Sequence, residues 1–564
     1  MWHCAQICAN LVHYPPATSS ARSATRCVAH GLGFLPTTSH TRDDETRRID
    51  GSVHDLLILD IRLTTLPHFF KTKSTPFVLS IATTPLYDVR WRDTKTLSSW
   101  STVTADEVVE LIGAASSKSS SLDPIPTWLV KEMCGLLSLF ISLLLQKSSS
   151  TGLFLTEFKE AIVRPLLQKS RLNSTQKKNY RPVSNLSFLS KLLERVAQAR
   201  LEVFLDWSDL MPTMQSAYRR FHSTETAVLK IYSGLLFAAY NRDVSVLCLL
   251  DLTAAFDTIY HDLIMFKLEC QSGLHGVVLD WFRSYLCGRT YRVIHGGKTS
   301  YNVHVICSMA QGSVLGPRMF ILYASDLEDV AAKHSANIHG YADDTQLYLH
   351  GRRDDTMPTV HRLESCITGV SQWMSTNRLK LNTNKTELLW HGPRHSQSSL
   401  SCCDLSLQLG RTPSRHKTTS FCPRVTISSD LSLQCHISNV PATSFHWLRQ
   451  LRRVRWSLDS ESAATFVHVF VTSWVDQCNA VLAGATKSVN DTLQRVTNPA
   501  AFVVSETRKF DHGLTHILHH NLHWLDVADR VTYKLGVTMH RCWRGKAPQY
   551  AVPCRLLHTG HRCC

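Results

Sequence analysis

Two aspartates, Asp343 and Asp344, stand side by side inside the apolar, aromatic stretch HGYADDTQLYL (339–349). The flanking segments SANIHG and TQLYLH are short and β-favouring, with small or turn-prone residues between them. They predict a β-hairpin carrying both carboxylates at its bend. Like charges so close resist joint ionisation unless a cation sits between them or water solvates them. Taken alone, the ADD string reads as a solvated acidic turn. A metal site on a rigid hairpin needs at least one further carboxylate from elsewhere in the chain.

Upstream, DVSVLCLLDLTAAFDTIYHDLIMFKL (243–268) contains an apolar, β-branched run, 244–250, that ends on Asp251. A strand delivering a carboxylate at its end, beside a hairpin tipped by two more, is what a two-ion site asks for. Two divalent ions ~3.5–4 Å apart require several hard oxygen ligands on rigid supports. Asp257 reads more simply as a cap for the helix that follows, in which Ile259, Leu263, Phe266 and Lys267 fall near one face. Between the two acidic elements lies CSMAQGSVLGPRMFILYASDLEDV (307–330). Gly312 there allows close approach of backbone to a ligand, and Pro317 suits the first turn of a helix.

A chain of 564 residues has room for about three or four domains. Its 44% hydrophobic and 19% charged content is that of a globular protein. The formal net charge of +16 points to a polyanionic partner, most often nucleic acid. The first twenty residues lack the basic start and continuous apolar core of a signal peptide. The longest apolar run, GLLSLFISLLL (135–145), is about half of the ~20 residues a membrane span needs, so it predicts a buried helix and no membrane association. Eighteen scattered cysteines predict reduced thiols in an intracellular protein. Cys402/Cys403, Cys563/Cys564 and the tail CRLLHTGHRCC lack the paired spacing of a zinc finger or knuckle.

Along the chain, residues 1 to 95 show no sustained period. A Ser/Lys tract, SSKSSSLDP (116–124), leads into alternating helical and strand-like segments up to about 395. After a Ser/Cys/Pro-rich stretch from 396 to 424 the pattern is mainly helical.

DLTAAFDTIYHDLI, AQGSVLGPRMFILYASDL, YADDTQLYL and RLKLNTNKTELLW resemble, in order, the palm motifs of reverse transcriptases from non-LTR retrotransposons, in particular jockey-like and chicken-repeat-like LINE elements. SSSLDPIPTWLVKE, FKEAIVRPLLQKS, NYRPVSNLSFLSKLLERV and QSAYRRFHSTETAVL are similar to that family's fingers motifs. Similarity continues through WLRQLRRVRWSL and LHWLDVADRVTYKLGVTMHRC, so it covers roughly residues 100 to 550. The resemblance implies an α+β right-hand polymerase fold with an antiparallel palm sheet and a mainly helical C-terminal region. Its implied parts are a poorly structured or remnant region at 1–95, fingers at 96–240, palm at 241–395, and a thumb-like and helical region at 396–564. Nothing in residues 1 to 95 resembles the family's N-terminal endonuclease, so an element without that domain is expected.

The implied activity is RNA-directed DNA polymerisation. An RNA template, a DNA primer or target site and deoxynucleoside triphosphates are the partners, with two Mg²⁺ or Mn²⁺ ions as cofactors. By this resemblance Asp251 and Asp343 hold the ions, Asp344 completes or tunes the cluster, and Lys169 and Arg181 grip the incoming triphosphate. Phe256 lies under the sugar, where its ring collides with a 2′ hydroxyl, although ordinary core packing also explains it. Gln311 and Gly312 flank the nascent base pair, and Lys385 protonates the departing pyrophosphate. In FHWLRQLRRVRWSL, Phe445, Leu448, Leu451 and Val454 share a helical face, and Arg449, Arg452, Arg453 and Arg455 reach phosphates as a thumb helix would.

Several positions depart from the family pattern. Ala310 stands for a proline, Tyr260 for an acidic residue, Ser325 for an asparagine, and Arg424 lies where a leucine–glycine pair is usual. The alternative reading is an inactive or co-opted copy that only binds RNA. An RNA-making polymerase is disfavoured by Phe256.

Overall fold

The computed structural model describes residues 91–551, except 93, 119, 170–171, 253–254, 383–384, 392–406, 410–411, 415–418, 423–424 and 508–512. The expectations for residues 1–90, Cys402/Cys403, Arg424 and the cysteine-rich tail lie outside the described residues.

The first third of the described chain is mostly helical. Helix α1 (Ala105–Ala114) starts at Thr104, whose hydroxyl accepts a hydrogen bond from the Glu107 amide. Helix α2 (Cys134–Thr151) ends at Gly152, φ +69°, the left-handed cap that glycine adopts without strain. The apolar run 135–145, expected as a buried helix, lies in α2 and is buried on one side only. Ile141 and Leu145 face the core, whereas Leu136, Leu139, Phe140 and Leu143 are 56–62% exposed. No described helix is long and apolar enough to cross a membrane. Strands β1 (Glu160–Leu167) and β2 (Tyr180–Asn185) follow, then helices α3 (Phe188–Trp207) and α4 (Thr224–Tyr240). A reciprocal capping pair opens α4: the Ser223 hydroxyl accepts from the Thr226 amide and the Thr226 hydroxyl from the Ser223 amide.

Next come β3 (Val244–Leu250), α5 (His261–Cys270), α6 (Gly276–Leu286), β4 (Thr290–His295), β5 (Lys298–Thr299) and β6 (Val303–His304). Helix α7 (Gly316–Tyr323) takes Pro317 in its first turn, as the sequence predicts. The hairpin strands β7 (Asn337–Tyr341) and β8 (Asp344–Gly351), helix α8 (Thr356–Thr376) and strand β9 (Glu387–His391) complete this part.

Two sheets result. One is fully antiparallel in the order β7-β8-β3-β9. The other runs β2-β1-β4-β5 with β6 also on β4, and its β1–β4 pair is parallel, as a long crossover between the two strands permits. Strand β3 reads VSVLCLL because both its faces are covered. Val244, Val246, Cys248 and Leu250 join one core with α1, α3, α5, α6 and α8, and Leu247 on the other face joins a second.

That second core is built by the C-terminal part: β10 (Thr419–Cys422), β11 (Val425–Ser428), α9 (Gln434–Val454), α10 (Ser460–Val467), α11 (Lys487–Ser505) and α12 (Val527–Trp543). Leu448, Val467, Val496 and Val531 from these helices pack with Val228 and Ile231 of α4 and with Leu247, Tyr348 and Leu389 of the sheet.

The basic segment of α9 departs from expectation. Leu448 and Leu451 are buried, but Phe445 and Val454 are 38% and 47% exposed. Arg455, expected to reach phosphates, turns inward instead. Arg455 stands four residues after Leu451 and seven after Leu448, so it continues their buried face, and its guanidinium donates to the carbonyls of Val503 (2.6 Å), Val504 (3.0 Å) and Leu458 (2.6 Å) and pairs with Glu506 (2.8 Å). The first two carbonyls belong to the last turn of α11, which has no intrahelical donors left for them. Arg449, Arg452 and Arg453 are exposed. Arg455→Met should therefore lower the free energy of unfolding by about 2–4 kcal/mol, and Arg453→Gln should change it by less than ~0.5 kcal/mol, as chemical denaturation will measure.

Candidate active site

The β3–β8 ladder has seven rungs, from Val244 opposite Gly351 to Leu250 opposite Thr345. Continued by one residue it sets Asp251 against Asp344. Tyr341 pairs with Asp344 and leaves Ala342 and Asp343 as a two-residue turn, in which Ala342 adopts φ +60°. The predicted hairpin is present, but its bend is 342–343, so Asp343 alone stands at the turn and Asp344 opens β8. On the other side of β3, the approach to β9 closes over Asp251. The Asn382 amide donates to the Asp251 carbonyl (2.9 Å), and its side chain donates to Asp251 Oδ2 (3.0 Å). Lys385 Nζ stands 3.4 Å from the same oxygen on an otherwise exposed side chain. Asp251, Asp343, Asp344 and Lys385 are thus gathered at one end of the antiparallel sheet.

Their fields interact strongly. Burial pushes the Asp343 carboxyl above its ordinary pKa and the Asp251 charge pushes it further, while Arg181 and Lys385 oppose the shift. Asp344 is pushed up to about 6, first by desolvation from the surrounding chain, then by Asp343 and Asp251, against Lys385. Asp344 nevertheless keeps a solvent-exposed surface, so it is crowded by chain without being enclosed. The donor set, oxygen only, suits a hard divalent cation. Among the described residues no three His, Cys, Asp or Glu side chains close around one point. Mg²⁺ ordinarily takes one or two carboxylates and completes its shell with water and substrate phosphates, which this open cluster permits.

The other predicted residues fall around this end. Gln311 donates to Asp257 Oδ1 (2.8 Å), and α5 is entered at Tyr260 with no side-chain cap, so Asp257 does not cap that helix as expected. Gly312 has φ +117°, and a Cβ there would stand 2.6 Å from the Ser184 carbonyl oxygen. The close approach expected of Gly312 is therefore made to β2, whose Ser184 amide also donates to the Gln311 carbonyl (2.8 Å). Phe256 lies half-buried on a short 3₁₀ turn, Ala255–Asp257, with its ring centroid 5.1 Å from that of Phe320. Arg181 is exposed on β2 with its charge felt at Asp343, and Lys169 is exposed just past β1.

Two supporting residues escaped the sequence reading. One is Asn382. The other is Glu194 of α3, fully buried, which accepts from the amides of Val314 (2.7 Å) and Leu315 (3.1 Å) and so anchors the loop between Gly312 and α7. Burial raises the Glu194 carboxyl and Arg289 opposes that shift. A lone acid among Leu192, Leu193, Val196 and Ala197 was the available signal, since a surface acid would not sit on an apolar face.

Residues 167–422 match the family described as reverse transcriptase (RNA-dependent DNA polymerase). The chain carries a reverse transcriptase domain. All three clustered aspartates, Lys385, Lys169 and Arg181 fall inside this reverse transcriptase match, and the exposed arginines of α9 lie beyond it. The chain is similar to the probable RNA-directed DNA polymerase from transposon BS of Drosophila melanogaster, 24% identical over 447 residues that cover 76% of this chain and 47% of that protein. It is similar also to the RNA-directed DNA polymerase from mobile element jockey of the same organism, 26% identical over 348 residues (60% and 37%). The probable RNA-directed DNA polymerase from transposon X-element is 25% identical over 283 residues (50% and 31%). These bear out the resemblance to non-LTR retrotransposon enzymes, and the chain spans less than half the length of each.

The raised Asp344 pKa gives a pH dependence. The folded state binds this proton more tightly than the unfolded chain, so stability falls as pH rises from the ordinary 3.8 to about 6 and stays reduced above it. In chelator, Asp344→Asn should raise the Tm at pH 7.5, modestly because the group is open to water, and the gain should vanish below pH ~4. Thermal unfolding at the two pH values will check this.

Proposed function

We propose that this chain is an RNA-directed DNA polymerase of a non-LTR retrotransposon, adding deoxynucleotides to a DNA 3′ end along an RNA template. The observation that carries this reading is the meeting of Asp251, Asp343 and Asp344 at one end of an antiparallel sheet inside the reverse transcriptase domain. In this reading the β7-β8-β3-β9 sheet is the palm, the sheet of β1 and β2 with its helices belongs to the fingers, and α9 to α12 form a thumb-like region. Asp251, Asp343 and Asp344 would hold two Mg²⁺ or Mn²⁺ ions, which when bound supply Lewis-acid activation of the primer 3′ hydroxyl and neutralise the triphosphate.

The chain's own residues do the rest. Arg181, on β2 and electrostatically coupled to Asp343, binds the triphosphate together with Lys169. Lys385, already at the carboxylate cluster, holds a proton for the leaving pyrophosphate. The ring of Phe256, backed by Phe320, cannot retreat from an added 2′ hydroxyl and so selects deoxyribose. Gln311 and Gly312, fixed to Asp257 and β2, form a rigid wall beside the nascent base pair. Arg449, Arg452 and Arg453 face solvent, where duplex phosphates can approach.

Extension of a primed homopolymer RNA with labelled deoxynucleotide and Mg²⁺ or Mn²⁺ tests the proposal. Binding of RNA without extension by well-folded protein would instead assign a non-catalytic RNA-binding role. In the active chain, Asp343→Asn should abolish extension and leave the Kd for RNA within about twofold, because phosphate contacts come from the basic residues.

Phe256→Val should raise ribonucleotide incorporation by ~10-fold or more relative to deoxynucleotide, about 1.4 kcal/mol of lost discrimination. Competing single-nucleotide kinetics will measure the ratio. Core damage alone would lower both efficiencies together.

A further inference from the structure

The turn that presents Asp343 is held by one side chain from a distant segment. Residues 214–216, between α3 and α4, run along the outer edge of β7: the Gly340 amide donates to the Met214 carbonyl (2.8 Å) and the Ser216 amide to the Gly340 carbonyl (2.9 Å). From this edge the buried Gln215 reaches around the hairpin. Its Oε1 accepts from the Ala342 amide (3.0 Å) and from the Ala217 amide (3.1 Å), and its Nε2 donates to the Ala342 carbonyl (3.3 Å). Both backbone groups of the residue before Asp343 are therefore bonded by one amide, and Ala342 is the residue held at φ +60°. A non-glycine residue adopts that conformation only where its surroundings over-determine it.

Gly340 makes room for the clamp. A Cβ at this position would lie 2.7 Å from Gln215 Nε2. The bond of Oε1 to Ala217 fixes the orientation of the amide, so its donor end faces the Ala342 carbonyl. Only an amide offers a donor and an acceptor in this shape; a carboxylate offers acceptors alone and would add charge beside three aspartates.

The geometry points to Gln215 as the positioning residue for the metal-binding turn: by fixing Ala342 it aims the Asp343 carboxylate toward Asp251, and it sets the affinity of the cluster for divalent cations. This rests on the metal role assigned above to Asp343. A residue that aims a ligand in this way influences metal affinity without touching the ion.

The test uses the purified full chain and Mn²⁺ binding followed by electron paramagnetic resonance, with thermal unfolding in parallel. Gln215→Met keeps the volume and removes all three side-chain bonds; Gln215→Glu keeps the acceptor and removes the donor. Each should weaken Mn²⁺ binding by about 10-fold or more, as loss of a ligand-orienting partner does elsewhere. Val496→Ala, a core change in the C-terminal helix α11, should lower the Tm with Mn²⁺ affinity unchanged and so separates positioning from general destabilisation. If Asp343→Asn loses Mn²⁺ binding and both Gln215 variants retain it, the Gln215 assignment is overturned and the metal reading stands. If the unmodified chain binds no Mn²⁺, or Asp343→Asn binds as well as the unmodified chain, the metal reading falls and takes this inference with it.

Discussion

The register of the β3–β8 ladder is the constraint on which the rest of the site depends. A strand has a side-chain period of two, so a slip of one residue would exchange its faces. Here that slip would move Leu247 and Tyr348 out of the second core and Val246 and Leu349 out of the first. Two apolar cores on opposite faces therefore hold one register. The same register that satisfies both cores sets Asp251 against Asp344. The carboxylates owe their meeting to leucines and valines that take no part in any chemistry.

This arrangement ties the C-terminal helices to the site. Strands β3, β8 and β9 present Leu247, Tyr348 and Leu389 to a core whose other walls are α4 and the helices from α9 onward. The helical region is then a covering layer for the sheet's second face as well as a candidate duplex grip. Arg455 shows how that layer is built. An arginine spent on the carbonyl end of α11 locks two helices together, and it leaves Arg449, Arg452 and Arg453 as the exposed part of the basic segment.

Much of this could be read from the sequence, for identifiable reasons. The hairpin, the strand that leads up to Asp251 and the helix with Pro317 in its first turn follow from periodicity and turn chemistry, which act over a few residues. Long-range partners were not legible. Asp257 has the look of a helix cap until Gln311, far along the chain, takes its oxygen. Gly312 announces a close approach without saying to what, and only the fold shows that Ser184 of β2 is the neighbour. RQLRRVRW gives a basic helix by composition, and Arg455 falls on the face of Leu448 and Leu451, but the carbonyls of α11 that receive it lie far along the chain. The outer face of α2 is misread for a related reason: an all-round apolar run gives no phase, and burial is decided by what packs against it.

The electrostatics of the cluster link the two sheets. Asp251, Asp343 and Asp344 cannot separate, since strand register and a two-residue turn fix them, so their repulsion is relieved by a proton, a cation or neighbouring positive charge. Lys385 supplies such charge from the approach to β9, within the antiparallel sheet, and Arg181 supplies it from β2 of the other sheet. The loop at Gln311 and Gly312 is hydrogen-bonded to β2 and anchored at its far end by Glu194 of α3. The loop bonded to β2 thus ties the strand of Arg181 to the end of the sheet that carries Asp343, whose carboxyl is raised chiefly by burial and lowered in part by Arg181 and Lys385. Lys385 and Arg181 offset only part of the repulsion, since Asp343 stays above the ordinary carboxylate range despite both and Asp344 despite Lys385.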